Sequence, residues 1–338
     1  MMRRLRVAVL DSKYLGDAAR FEREQAAVDA FGGQLCLFNL KTEEEIISQA
    51  SDFDVLLCCG NPPITRRVLE RYKGLAVIRY GIGVNSVDLQ AAVEYGKLIC
   101  NSPGFCVEEL VMHASALILA SLRNVAYYNQ RIKAGQWPKA KGPVPRRLSG
   151  LTVGLFGFGA SARPLADVFI QGFHSRCIVC DPCVSREEAA ERGAELVDFE
   201  TRLREADVRS IHAPLIPATR HVFNRDAFRK MKPGALLVNV ARGGLVREPD
   251  LIEALRAGEI GGAALDVLET EPMLPDNPLK DMDNVILTPH SGFFGREAIE
   301  TGHEIAAMLI GRLAEGRIVR RNVVNPEVLE ALEGYTAE

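Results

Sequence analysis

Short apolar runs of strand length alternate with amphipathic stretches of helix length along most of this chain, and few architectures accept that pattern. In the first series the strand-like runs are residues 5–11, 34–39, 54–59, 76–80 and 98–101, with helical patterns over 21–31, 43–50, 65–72 and 88–95. Strands joined by crossover helices run parallel, and both faces of their sheet are covered. Residues 107–122 (VEELVMHASALILASL) then read as a helix too apolar for a surface position. A second helix over 124–134 and a polar, Pro/Gly-rich stretch over 135–145 follow, with the look of a linker or an arm. A second alternating series opens at Leu151, with strands over 152–157, 176–181, 195–197, 208–212, 235–240, 262–267 and 285–288. Its helices cover 164–173, 186–192, 220–230 and 250–257, and a long helix over 297–313 closes the pattern. The expectation is an α/β protein of two doubly wound parallel-sheet domains.

Composition agrees. The 338 residues are 47% hydrophobic and 25% charged, enough apolar material for two cores. The formal net charge of −3 gives no basic surface for nucleic acid. Arg3, Arg4 and Arg6 precede only a short apolar run that ends at Asp11, unlike a signal peptide. No stretch approaches the roughly 18 apolar residues of a membrane span. A cytoplasmic protein without membrane partners is expected. The eight cysteines read as buried thiols. Cys177, Cys180 and Cys183 have a CxxCxxC spacing, but a step of three along a strand sends side chains to opposite faces, which argues against a metal centre.

The segment LTVGLFGFGASA (151–162) is an apolar strand entering a glycine turn and a helix. Gly157 permits the turn, Gly159 admits a pyrophosphate close to the backbone, and Ala162 is small enough for helix–strand packing. An ordinary βα turn can look the same. The next strand, however, ends in Asp181, about 24 residues after Gly157, the spacing of a carboxylate that accepts from ribose hydroxyls. Its charge would repel a 2′-phosphate, so NAD is favoured over NADP, although Arg186 lies nearby.

Further along, Arg242, Asp266, Glu271 and His290 all arise at or just beyond strand ends of this second sheet. Each alone could be an ion pair, a cap or a turn residue; four on one rim, beside a dinucleotide crevice, are better explained as a site. Their chemistry suits hydride transfer at a carbon bearing oxygen. His290 can take or return the hydroxyl proton, Glu271 can hold its ring, and Arg242 can grip a carboxylate and polarise the adjoining carbonyl. Asp266 is placed to accept from a nicotinamide carboxamide. In the first series, Gly81-Ile82-Gly83 can form an anion nest for a carboxylate. Asn61, Phe105, Phe293 and Phe294 are candidate pocket residues, and His113 reads as a satisfied core histidine.

These residues stand within a longer set: RYGIGVNSVD (79–88), NSPG (101–104), the glycine turn with Asp181, HAPL (212–215), MKPG (231–234), NVARGG (239–244), ALDV (264–267), Glu271-Pro272 and TPH (288–290). In that order they resemble the D-isomer-specific 2-hydroxyacid dehydrogenases. The resemblance implies a flavodoxin-like substrate domain split between residues 1–106 and 297–338. A Rossmann nucleotide domain over 107–296 would be inserted between them, with a dimerisation arm near 124–145 and a homodimer. It implies Arg242, Glu271 and His290 as the catalytic triad, a 2-hydroxy or 2-keto acid as substrate, and Ile82, Gly83, Phe105, Arg242 and Phe293 around it. The cofactor would be NAD, held by Gly157, Gly159, Ala160, Ser161, Asp181, Ala213, Pro214, Thr219, Val240, Ala241, Asp266 and Gly292. Ala160-Ser161 stands where Arg-Ile is common, Met112 replaces a common acidic residue, and Ala162 and Pro164 alter the start of the cofactor helix. CVEE (106–109) and HSGFF (290–294) are most similar to the branch of C-terminal binding proteins, which includes NAD(H)-sensing corepressors. An NAD(H)-responsive binding protein is therefore one alternative to the enzyme. An oxidoreductase acting on another small oxyanion, such as phosphite, is a second.

Overall fold

The computed structural model describes residues 3–14, 21–138 and 145–338. The chain forms two compact units, Met1–Cys106 with Gly295–Glu338, and Val107–Phe294. In the first, β1 (Arg6–Val9), α1 (Glu22–Asp29), β2 (Gln34–Leu37), α2 (Glu43–Ala50), β3 (Val55–Cys58), α3 (Arg66–Arg71), β4 (Ala76–Arg79), α4 (Leu89–Glu94) and β5 (Leu98–Cys100) follow one another. The five strands pair in parallel in the order β2-β1-β3-β4-β5, with Val7 opposite Val55 and Val55 opposite Ala76. That is the flavodoxin-like order, with its switch point between β1 and β3. Strands β3 and β4 are buried throughout, which is why they read as unbroken apolar runs. Helix starts follow local chemistry: Thr42 and Glu45 close a capping box on α2, and the Asp88 carboxylate accepts from Ala91 N–H at the start of α4.

The second unit begins with α5 (Val107–Leu122) and α6 (Val125–Lys133), which meet at a 68° bend. No single helix among the described residues is long and apolar enough to cross a membrane. Part of the expected arm, residues 139–144, lies outside the described residues. Then come β6 (Thr152–Phe156), α7 (Ala162–Asp167), β7 (Arg176–Cys180), α8 (Arg186–Ala190), β8 (Glu195–Leu196), α9 (Phe199–Glu205), β9 (Val208–Ile211), α10 (Arg225–Arg229), β10 (Leu236–Asn239), α11 (Glu248–Ala257), β11 (Gly262–Leu265) and β12 (Val285–Leu287). All seven strands are parallel, in the order β8-β7-β6-β9-β10-β11-β12, and the switch point falls between β6 and β9. Apolar clusters cover both faces of this sheet, one built on α5 and α7, the other on α10 and α11.

Two elements differ from the sequence reading. The helix expected over 164–173 is α7 followed by a π-helical turn, Val168–Gly172. The helix expected over 220–230 starts only at Arg225, because Asn224 caps it, its side chain accepting from Asp226 and Ala227 N–H, and because His221 is left-handed (φ 52°). The expectation of eight buried thiols is corrected as well: Cys36 and Cys180 are half-buried and Cys183 is exposed. Among the described residues no three His, Cys, Asp or Glu side chains are grouped to hold a metal.

Arg202 of α9 is fully buried, its guanidinium 5.1–5.5 Å from the ring centroids of Phe156, Phe199 and Phe223. Burial, reinforced by Arg209, pushes it down to about 9.

The chain returns to the first unit at Gly295, two residues before the expected boundary, and α12 (Arg296–Ala314) packs Ala306, Leu309, Ile310 and Leu313 into that unit's core. A buried polar contact fixes its register: His303 Nδ1 lies 2.8 Å from Glu24 Oε1 on α1, and the same oxygen accepts from the Tyr80 hydroxyl just beyond β4.

Candidate active site

In the second unit, β6 runs into Gly157, whose φ of 88° requires glycine and where a Cβ would sit 2.7 Å from Ala213 N. The ends of β6 and β9 can therefore touch, which closes the floor of the turn. Gly159 has no heavy atom within 4 Å of an added Cβ, so the space above the turn is open. Half-buried Asp181, just past β7, accepts from Phe158 N–H through Oδ2 (2.7 Å) and from Cys183 N–H through Oδ1 (2.8 Å). Each oxygen keeps a lone pair for a ribose hydroxyl. Ser161 Oγ lies 3.1 Å from His212 Nδ1, and His212 Nε2 lies 2.8 Å from Ser210 Oγ. Desolvation pushes this imidazole down to about 4, so it is neutral at pH 7 and links the two hydroxyls. Thr219 Oγ1 donates to Pro214 O and accepts from Ile216 N–H, bracing the loop after β9. Ala213 and Val240 are buried beside it, whereas Ala160 and Pro214 are exposed. The open turn, the carboxylate and the neutral polar wall fit a dinucleotide.

Beyond β10, the Asn239 side chain accepts from Ala241 N–H and donates to Arg242 O, shaping the loop that presents Arg242. Beyond β11, Glu271 accepts from Leu268 N–H through Oε1 (3.0 Å) and from His290 Nδ1 through Oε2 (2.7 Å). Burial alone would raise the Glu271 carboxyl. The bonds from His290 and Leu268, with the charges of His290 and Arg242, outweigh it and hold the group below its ordinary range. His290 is left-handed (φ 53°), and its N–H donates to Asp266 O at 2.8 Å. Its ring is partly exposed, with Phe293 edge-on at 6.2 Å. A carboxylate on Nδ1 fixes the tautomer and leaves Nε2 for proton transfer.

Asp266 is 2% exposed and serves the turn that carries His290. Its Oδ1 accepts from Thr288 Oγ1 (2.6 Å) and Ser291 N–H (2.8 Å), its Oδ2 from Gly292 N–H (2.9 Å), and His113 Nε2 lies 3.2 Å from Oδ1. These donors tie Asp266 to the turn after β12. Burial raises the carboxyl, but the four donors prevail and hold it at about 2. Its folded value lies below the unfolded 3.8. The stabilisation is thus complete above pH 4 and fades as pH falls toward 2, and it amounts to roughly 2 kcal/mol. Asp266→Asn is expected to lower the urea midpoint at pH 7, by a margin that shrinks as pH is lowered to 3. A margin independent of pH would count against this account.

In the first unit, three carbonyls after β4 are tied back to the protein. Gly81 O accepts from Ser102 N–H, Ile82 O from Asn101 Nδ2 and Gly83 O from Arg79 Nε. In a trans peptide the C=O and the next N–H point oppositely, so the N–H groups of Ile82 and Gly83 face away from Ser102 and Asn101. Arg79 is buried, and its Nη2 donates to Asn61 Oδ1 at 2.9 Å. Asn61 thus braces Arg79. Phe105 lies in this unit, near Gly302, and Phe293 in the other.

Residues 115–292 match the model described as D-isomer specific 2-hydroxyacid dehydrogenase, NAD binding domain. The chain belongs to this family. It carries the family's NAD-binding domain. It is 38% identical to D-3-phosphoglycerate dehydrogenase 2 of Arabidopsis thaliana, over 90% of this chain and 49% of that protein. The chain spans about half the length of the phosphoglycerate dehydrogenases it matches. Hydroxypyruvate reductase of Thermotoga maritima is 35% identical over 76% of this chain and 83% of its own. The TT0316 protein of Thermus thermophilus superposes with a TM-score of 0.83 at 31% identity, covering 95% of this chain and all of that one.

The residues that sequence reasoning passed over are His212 and Ser210 behind Ser161, and His221, Glu248 and Glu269 beside the Arg242 loop. His212 stood inside a quoted motif. Ser210 lies inside β9, Glu248 opens α11, and His221 and Glu269 lie in loops, so no motif marked them.

Proposed function

We propose that this protein interconverts a 2-hydroxy acid and its 2-keto acid with NAD as hydride carrier. The observation that carries the reading is the 2.7 Å Glu271–His290 pair in the same domain as the open dinucleotide turn and Arg242. Bound NAD(H) supplies or accepts the hydride at C2. In reduction, His290 gives its Nε2 proton to the carbonyl oxygen as the oxygen gains charge, and Glu271 stabilises the imidazolium beforehand. In oxidation the same nitrogen takes the hydroxyl proton. Arg242 holds the substrate carboxylate and polarises the adjacent carbonyl. In the first unit the N–H groups of Ile82 and Gly83 form an anion nest, and in the second Phe293 supplies apolar wall beside His290. Asp181 selects NAD by accepting from the ribose hydroxyls. Exposed Met112, Val125, Ile132 and Trp137 on and beside α5 and α6 favour a homodimer joined through this region.

The similarity to hydroxypyruvate reductase supports a small keto acid, and that to phosphoglycerate dehydrogenase a phosphorylated one. A second reading, an NAD(H)-sensing partner-binding protein of the corepressor branch, draws on the edge-on Phe293 beside His290 and on exposed Phe294. The two separate when NADH oxidation is followed across glyoxylate, pyruvate, hydroxypyruvate, and branched, aromatic and phosphorylated 2-keto acids. Turnover on any of them is expected. Silence across the panel, with NADH bound, would refute the 2-keto acid reaction and leave the sensor or an oxidoreductase of another small oxyanion.

A further inference from the structure

A second histidine–glutamate pair lies outside the triad. His221 Nε2 is 2.5 Å from Glu269 Oε1, with both side chains partly buried. Glu269 is two residues before Glu271, on the loop after β11. Its other oxygen accepts from Glu248 N–H at 2.7 Å, and its own N–H donates to Glu248 Oε2 at 3.2 Å. Glu248 Oε1 in turn accepts from Asn277 Nδ2. His221 also reaches the Arg242 loop, since its backbone N–H donates to Gly244 O at 2.9 Å. One residue therefore joins the two loops, by its backbone to the loop of Arg242 and by its ring to the loop of Glu271.

The loops also meet directly. A Cβ on Gly243 would fall 1.9 Å from Leu268 O, so Gly243 lies flush on the Leu268 carbonyl. The N–H of that same Leu268 holds Glu271 Oε1. Any slip of Leu268 therefore moves Glu271, and His290 with it, relative to Arg242. His221 is held left-handed (φ 52°), a conformation unfavourable for a non-glycine residue. Its fixed backbone and ring contacts offset that cost.

We propose that His221, acting through Glu269, is a positioning residue that sets the Glu271–His290 dyad against the Arg242 guanidinium. This rests on the roles given above to Glu271, His290 and Arg242. A displaced dyad still binds keto acid and NADH, but it meets the developing alkoxide badly, so the loss falls on kcat rather than on KM.

The test compares wild type, His221→Ala and His221→Gln on the 2-keto acid that wild type reduces best. NADH affinity is read separately by fluorescence, and folding by thermal unfolding. His221→Ala should lower kcat between about tenfold and a hundredfold, with KM and NADH affinity within about threefold. His221→Gln, whose amide N–H can reach Glu269, should recover most of the rate. If His221→Ala does not fold, Glu269→Asp, which keeps the charge and shortens the reach, is held to the same thresholds. A kcat within about twofold of wild type overturns the inference and leaves the proposed reaction standing. Equal losses in kcat, NADH affinity and unfolding midpoint, without rescue by glutamine, also overturn it, because they mark general loosening. Absence of wild-type turnover on every acid, with NADH bound, removes the proposed reaction and this inference together.

Discussion

His290→Ala is expected to lower kcat for 2-keto acid reduction by about 10²- to 10⁴-fold, with NADH affinity nearly unchanged. The size follows from what the ring contributes. Reduction places negative charge on the carbonyl oxygen, and without a positioned acid that charge must be met by water. Glu271 lies 2.7 Å from Nδ1 and is held below its ordinary range, so a carboxylate faces that nitrogen and Nε2 is left for the proton transfer proposed above. Alanine removes the acid and leaves a carboxylate with no imidazole to stabilise. The cofactor turn does not depend on His290, because Gly157, Asp181, Ser161 and His212 are held by contacts among β6, β7 and β9. Steady-state kinetics with a separate NADH titration checks the split. A variant that keeps a rate within about tenfold of wild type would end the assignment of His290 as the acid.

Arg242→Met should reduce kcat/KM by about 10²- to 10³-fold, through both constants. The guanidinium is asked to do two things. In the proposed reaction it would grip the substrate carboxylate through paired N–H donors, which is ground-state binding, and polarise the carbonyl, which grows in value as the alkoxide forms. Methionine preserves length and packing while removing charge and donors. Its charge also helps hold Glu271 ionised, so the variant weakens the dyad at second hand. Arg242→Lys restores charge but not the planar fork, and should recover only part of the loss. Rates for Lys equal to wild type would show that a point charge suffices. Rates for Met within about threefold of wild type would remove Arg242 from the site.

Much of the architecture was legible before any coordinates. The alternation of apolar runs with helical stretches demands parallel sheets, and the strands lie within a residue or two of the expected runs because buried parallel strands have no polar face to blur them. The capping box at Thr42 and Glu45 marks the start of α2 by local chemistry alone. Where the local signal was mixed, as over 220–230, periodicity extended a helix that Asn224 caps and that His221 forbids.

What the sequence by itself determined is the α/β class, the glycine turn ending at Asp181, the family and its NAD-binding domain, since each rests on residues near one another in the chain or on motifs in fixed order. The tertiary structure alone decided what lies between those motifs. It set Arg202 among three phenylalanine rings from β6, α9 and the loop before α10. It made Asp266 the anchor of the His290 turn and His221 a strut between two loops. Thr288, Ser291 and Gly292 lie 22 to 26 residues from Asp266, and His221 lies 48 from Glu269. No period of 2 or 3.6 residues records a contact that exists only after strands from distant segments have lined up in one sheet.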